Sequence, residues 1–485
     1  MSDQDIGLRP AHVLAQAIRN RELSSRELLD HYLKRVDELN EPLNAIVTLD
    51  PDGARRAADE ADRALAHGEV RGPLHGLPMT VKDTYETAGM RTTCGVEAWD
   101  HVSEHDAEAV RRLRDAGAVI FGKTNTPVLA GDWQTFNPIF GTTNNPWDTS
   151  RAPGGSSGGA AAAVATGMTA MELGSDIGGS IRVPSNWCGV LGHKTSWGIV
   201  PQLGHLPPPP GALAGSDLSV VGPIARDVDD LEMALDVLAG PVAPEAVGWR
   251  LQLPPPRATR LRDLKLAVWL DDPAYPVQAD VRAILESAAG ALQEAGARLV
   301  DARPKVSLPE LVRTYQQLLY PVILAGLPEN RFDRMAAFAA SLPAEDDGPL
   351  ARTVRFGTLR HRDWLRANER REKLRAVIAD YFTDVDAVLM PVTVVPAIQH
   401  DHSEPFADRV IQVDGATLPY VDLFAWVAFA TVAYLPATVV PVGHTDAGLP
   451  VGLQIVGPYL EDRTTLAVAR CVAEVLGGFV PPHGV

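Results

Sequence analysis

From Leu77 onward the chain alternates short β-branched runs with helical segments, and this rhythm limits the folds open to it more than any other feature. LPMTVKD (77–83), the helical DAEAVRRLRDAG (106–117) and AVIFGKT (118–124) set the pattern. LKLAVWL from Leu264 and DVRAILESAAGALQEAGARLV repeat it as strand, helix, glycine and strand. AVLMPVT, ATVVPVG and PVGLQIVG return to strands before TTLAVARCVAEVLG closes the chain as a helix. Helices joined to short buried strands assemble as a mixed or parallel sheet flanked by helices. The expected fold class is therefore α/β, a large mixed β-sheet core surrounded by α-helices.

Two regions depart from this rhythm. Residues 1–68 read as a helical N-terminal part: Pro10–Ile18, then Ser24-Ser25-Arg26-Glu27 as a capping box opening Leu28–Leu39, then Ala54–His67, with the strand LNAIVTLD between. Residues from about 300 to 420 are largely helical and contain an acidic break, AEDDG, at 344–348. Pro207–Pro210 and Pro254–Pro256 read as extended, solvated connections.

Composition excludes several classes of function. With 46% apolar and 22% charged residues, the 485-residue chain has ordinary globular proportions. A formal net charge of −17 opposes binding to a polyphosphate backbone, so nucleic acid is not an expected ligand. Cys94, Cys188 and Cys471 are too far apart for metal-binding CxxC spacing and too few for a disulfide framework. They read as reduced thiols of a cytoplasmic protein, in keeping with an N-terminus that carries no apolar signal region. Leu423–Val442 carries no formal charge over a membrane-spanning length, but Pro436 and Pro441 break it into a buried helix, Leu423–Leu435, followed by a core strand. No membrane association is expected.

Three textual motifs mislead. Gly117–Thr124 fits G-x-x-x-x-G-K-[ST], but a helix precedes the first glycine and AVIF is itself a strand, so no phosphate loop forms. Gly154–Gly158 fits the G-x-S-x-G nucleophile elbow, yet a turn-rich loop precedes it where the elbow needs a strand. A Ser, Asp, His triad using His193 or His205 is therefore disfavoured. His400-Asp401-His402 has no third ligand nearby and reads as a surface loop, so no metal is expected.

The chain has seven lysines, Lys34, Lys82, Lys123, Lys194, Lys265, Lys305 and Lys373. Lys82 stands out because it lies within the apolar strand LPMTVKD. Burial would lower its pKa, as a general base near neutral pH requires; the plainer reading is an ion pair with Asp83. In Asp176-Ile-Gly-Gly-Ser180, two glycines before a serine let successive backbone N–H groups converge, the main-chain route to an oxyanion hole; a tight turn is the plainer reading. Ser156 also follows two glycines, and an Ala-rich helix from about Ala160 to Thr166 separates it from Ser180.

The whole Gly- and Ala-rich stretch Gly154–Ser196, GGSSGGAAAAVATGMTAMELGSDIGGSIRVPSNWCGVLGHKTS, resembles the amidase signature family. GPLHGLPMTVKD (72–83), GKTNTP (122–127), SVVGPIARDVDDLEMALDVLAG, LMPVT and GLPVGLQIVGP resemble its companion blocks. The likeness is weakest between about 300 and 420, and it implies a single amidase signature domain over residues 1–485. It further implies Lys82 as base, Ser156 as a bridging serine with a cis peptide bond, and Ser180 as nucleophile. The amides of Ile177, Gly178, Gly179 and Ser180 would form the oxyanion hole, supported by Ser157, Asp176 and Arg182. No metal or organic cofactor is required.

The resemblance also implies a substrate pocket between the loop 132–143 and the segment 300–430, with Trp133, Gln134, Phe136, Ile139 and Phe140 as candidate contacts. The expected activity is hydrolysis of small acyl or aryl amides, esters and carbamates (urethanes) through an acyl-enzyme on Ser180. The expected protein acts as a monomer or homodimer. Two alternatives accompany it: the A subunit of glutamyl-tRNA amidotransferase, and a non-catalytic amidase-like interaction protein. The A subunit usually carries Thr where Ile177 stands and GLKPTYGRVS where this chain has GHKTSWGIVP.

Overall fold

The computed structural model describes residues 6–484. Eleven strands form one mixed sheet: β1 (Ile46–Leu49), β2 (Pro78–Lys82), β3 (Val119–Thr124), β4 (Glu172–Asp176), β5 (Leu191–Lys194), β6 (Val220–Ala225), β7 (Lys265–Val268), β8 (Arg298–Val300), β9 (Ala387–Pro391), β10 (Ala437–His444) and β11 (Pro450–Val456). Their spatial order is β1-β3-β2-β4-β6-β5-β10-β11-β9-β7-β8. The triplets β3-β2-β4 and β9-β7-β8 are parallel, whereas the centre, from β4 through β11 to β9, is antiparallel. Strands β9 and β11 are buried at every position, so their sequences, AVLMP and PVGLQIV, carry no polar alternation beyond Gln454.

The helices are α1 (Ala11–Arg19), α2 (Ser25–Leu43), α3 (Pro51–Ala66), α4 (Glu108–Asp115), α5 (Gly158–Ala165), α6 (Arg182–Cys188), α7 (Val228–Leu238), α8 (Ala279–Glu294), α9 (Leu308–Ile323), α10 (Glu329–Ser341), α11 (Pro349–Gly357), α12 (His361–Tyr381), α13 (Phe424–Val432) and α14 (Asp462–Leu476). Helices α5 and α6 pack together against the central strands; α14 packs with α7 and α8, with α14 and α8 on β10 and α7 on β6. Helix α9 gathers α11, α12 and α13 around itself, making the 308–381 region one helical body beside the sheet.

The expected capping box is present: Ser24 accepts from the Glu27 amide and the Glu27 carboxylate accepts from the Ser24 amide. Helix α2 runs four residues beyond the expected Leu39, because Pro42 keeps a helical φ near the last turn and Asn44 closes it at φ 50°. The uncharged stretch Leu423–Val442 becomes buried α13 and the start of β10. Among the described residues, no helix is long and apolar enough to cross a membrane. All three cysteines are buried and unbridged.

Ser24→Ala removes one arm of the capping box and is expected to lower stability by ~1 kcal/mol. Chemical denaturation checks this, with the m-value unchanged.

Candidate active site

Lys82 ends β2 and is completely buried. Its Nζ donates to Ser156 Oγ at 2.7 Å and to Ser175 Oγ at 3.1 Å, so both of its hydrogen-bond partners are neutral hydroxyls. Burial without a bonded carboxylate pushes its pKa down to about 7. The local pairing with Asp83 does not form. Asp83 instead bonds Lys123 of β3 at 3.2 Å and the Thr93 hydroxyl at 2.5 Å. The buried Lys123 lies within strand β3 and not in a loop, which disposes of the phosphate-loop match.

Ser156 lies in an irregular loop just ahead of α5, with no strand before it, and its peptide bond from Gly155 is cis. The Thr126 hydroxyl donates to its carbonyl at 3.0 Å. Helix α5 is glycine and alanine apart from Val164 because it is driven against the sheet: a Cβ on Gly159 would sit 2.5 Å from the Asn125 backbone nitrogen. The Ser157 amide donates to the Ser180 carbonyl at 3.2 Å, tying the two serine loops together.

The loop from Asp176 to Ile181 connects β4 to α6. Asp176 accepts from the amides of Gly179 (2.9 Å) and Ile181 (3.1 Å), and from Arg182 in a two-pronged pair at 2.9 and 3.0 Å. Burial would raise the Asp176 pKa, but the Arg182 charge and these bonds outweigh it and hold the carboxyl at about 2. Gly179 has φ +94°, and any Cβ there would also approach Val183 and Val427 to 2.9 Å. The carbonyls of Ile177 and Gly178 are turned outward, accepting from the Tyr315 hydroxyl and the Trp133 indole, each at 2.8 Å. One expectation is corrected here. The Gly179 N–H is committed to Asp176, so the main-chain donors free to serve an oxyanion reduce to Ile177, Gly178 and Ser180.

Ser180 opens onto two adjoining cavities. One, of about 40 Å³, is lined by Trp133, Ile177, Gly178, Leu319, Phe406 and Phe424 among others. The second, of about 840 Å³, contains Ser156 and Ser175 beside Ser180, with walls from Trp99, Pro207–Pro209, Val322 and Trp364. Of the five candidate substrate contacts, only Trp133 lines a cavity at Ser180. Gln134 is buried, exchanging two hydrogen bonds with the Asp401 backbone, and Phe136 stacks on His402 at 3.8 Å. Ile139 and Phe140 lie in the turn after Phe136, with the Arg91 guanidinium over the Phe140 ring. That loop holds its neighbours in place; only its first turn reaches the site.

The proline run 207–210 is half-buried to exposed, and Pro207–Pro209 also wall the larger cavity, which helices α9 and α12 complete. These contacts had no local signal beyond the density of prolines. His193 bonds Thr438 and Asp462 and does not line either cavity, whereas His205 lines the larger one. Burial and the nearby Lys82 charge push the His205 pKa down to about 3, leaving it a neutral ring with its Nε2 unpartnered.

The family model described as Amidase matches residues 27–466. The chain belongs to the amidase signature family. It is a hydrolase of carbon–nitrogen bonds other than peptide bonds. A relative, the A subunit of the glutamyl-tRNA(Gln) amidotransferase from Synechococcus sp. (strain CC9902), is 33% identical, with 94% of each chain covered. A crystal structure of an amidase superposes with a TM-score of 0.78 and 29% identity, covering 97% of this chain and 100% of that one. A bacterial aryl acylamidase shares the fold at a TM-score of 0.79 and 23% identity, with 96% of each chain covered.

Arg182→Leu leaves Asp176 buried without its counter-charge, and the enzyme is expected to lose ~3–5 kcal/mol of stability. Urea denaturation measures the loss; a change under about 1 kcal/mol would mean that the pair does not organise the loop.

Proposed function

We propose that the enzyme is a serine amidohydrolase with a Lys82–Ser156–Ser180 relay, cleaving small acyl or aryl amides and the corresponding esters and carbamates. The observation that carries this reading is the 2.7 Å contact between a wholly buried Lys82 and Ser156, in a cavity that also contains Ser180. A lysine titrating near neutrality supplies a base that needs no histidine.

In the proposed cycle neutral Lys82 takes the Ser156 proton while Ser156 takes that of Ser180, and Ser180 Oγ bonds to the substrate carbonyl carbon. The amides of Ile177, Gly178 and Ser180 hold the oxyanion, with Asp176, Arg182 and Ser157 fixing their loop. As the C–N bond breaks, Ser156 returns a proton to the leaving nitrogen and is reprotonated by Lys82. Water then attacks the acyl-enzyme with the same base. The chain works as one domain, as a monomer or homodimer in the cytoplasm.

A second reading, a glutaminase that depends on partner subunits, is favoured by the identity to amidotransferase A subunits over nearly the whole chain. Glutamine presents an ammonium and a carboxylate, and the acidic groups lining the two cavities are already engaged. Asp132 bonds Tyr420 and Arg409, and Asp217 bonds Arg371 and Tyr434. The amidase reading therefore stands first.

Fluorophosphonate is expected to add once to the wild type and not to Ser180→Ala, read by intact mass. An unlabelled wild type that releases ammonia from glutamine only with partner subunits present would favour the second reading. Below pH about 7 Lys82 is protonated and cannot accept a proton, so kcat/KM is expected to rise about tenfold per pH unit and level off above it. Lys82→Ala should lower the rate by ~10²–10⁴ and remove that limb.

A further inference from the structure

The two cavities at Ser180 are unequal in size and in what they share with the proton relay. Ser156 lines the larger cavity and not the smaller. This asymmetry assigns a direction to the substrate, on the reading that Ser156 shuttles protons to and from Ser180. The departing nitrogen or oxygen must lie within hydrogen-bond reach of the group that protonates it. Collapse of the tetrahedral intermediate breaks the bond from carbonyl carbon to leaving atom, whose electron pair takes the Ser156 proton while Lys82 restores the one Ser156 lost. The leaving group therefore lies on the Ser156 side, and the acyl group lies on the other.

We infer that the 40 Å³ cavity is the acyl site and the 840 Å³ cavity the leaving-group site, making the enzyme selective for short acyl groups on bulky, uncharged aromatic amines or alcohols. At 40 against 840 Å³ the smaller cavity offers about one-twentieth of the larger one's space, which favours a short acyl chain there. Its far wall is rigid: the Phe424 ring meets Trp133 edge-on at 4.3 Å and Tyr315 at 5.4 Å, and Trp133 is itself held by its bond to Gly178. The larger cavity falls in the range that encloses a drug-sized ligand. Its aromatic and proline walls suit a ring system. Asp217, at its edge, is already paired with Arg371 at 2.7 Å, so this carboxylate does not reward a cationic leaving group.

The test is the rate of Ser180 acylation, read as a burst of the released phenol (p-nitrophenol, phenol or 2-naphthol) together with the mass of the acyl adduct. One series holds the leaving group constant: p-nitrophenyl acetate, butyrate, hexanoate and octanoate. The other holds the acyl group constant: phenyl acetate against 2-naphthyl acetate. Acylation is expected to fall at least about tenfold from butyrate to hexanoate and again to octanoate, while the naphthyl ester reacts as fast as the phenyl ester or faster. Leu319→Ala, which enlarges only the smaller cavity, should recover about tenfold on hexanoate and leave the naphthyl-to-phenyl ratio unchanged. Octanoate matching acetate, or a naphthyl ester slower than phenyl, would reverse or abolish the assignment. Absence of any Ser180 adduct with esters and fluorophosphonate alike would instead overturn the serine-hydrolase reading on which it rests.

Discussion

The buried pair between Asp176 and Arg182 is the interaction on which the arrangement around Ser180 depends. One carboxylate gathers the Gly179 and Ile181 amides and the guanidinium, so the 176–182 loop curls around it. The remaining Arg182 donors reach the Val427 carbonyl, the Thr431 hydroxyl and the Gln454 amide oxygen, joining that loop to α13 and β11. Two charges removed from water are tolerable only with such complete pairing. Every Arg182 side-chain donor is used, so the loop that carries Ser180 is tied to its surroundings on several sides, and the carbonyls of Ile177 and Gly178 accept from Tyr315 and Trp133.

Lys82 is handled in the opposite way. The sheet buries an ammonium without giving it a bonded carboxylate, and the cost appears as a proton affinity lowered to near neutrality. Asp83, the neighbour best placed in sequence to neutralise it, is directed by strand alternation toward Lys123. Two buried lysines on adjacent strands thus end in different states. The one paired with Asp83 is a structural tie, and the one bonded to serine hydroxyls is available for chemistry.

Much of this was legible in the residue order. The Lys82 strand, the Gly-Gly-Ser loops and the Ala-rich helix between them are local patterns, and each forms where its pattern placed it. The alternation after Leu77 implied the mixed sheet, and Ser24 to Glu27 marked the start of α2. Substrate contacts were not legible in the same way. Phe136, Ile139 and Phe140 are as apolar as Trp133, yet only Trp133 reaches the cavity, because a short hairpin turns the others aside. The larger cavity is walled by Pro207–Pro209 and by two helices that begin about a hundred residues or more further along the chain, a meeting that no local pattern encodes.

The sequence by itself determined the kinds of element and the chemistry each carries, since strand period, capping and glycine freedom act over a few residues. Only the tertiary structure decided that Lys82 is buried against serine hydroxyls while Lys123 is paired with Asp83, which of four amides is already spent on Asp176, and which faces of Ser180 are narrow or wide. Those outcomes depend on contacts between segments distant in the chain, where burial and geometry, and not residue type, set proton affinity and space.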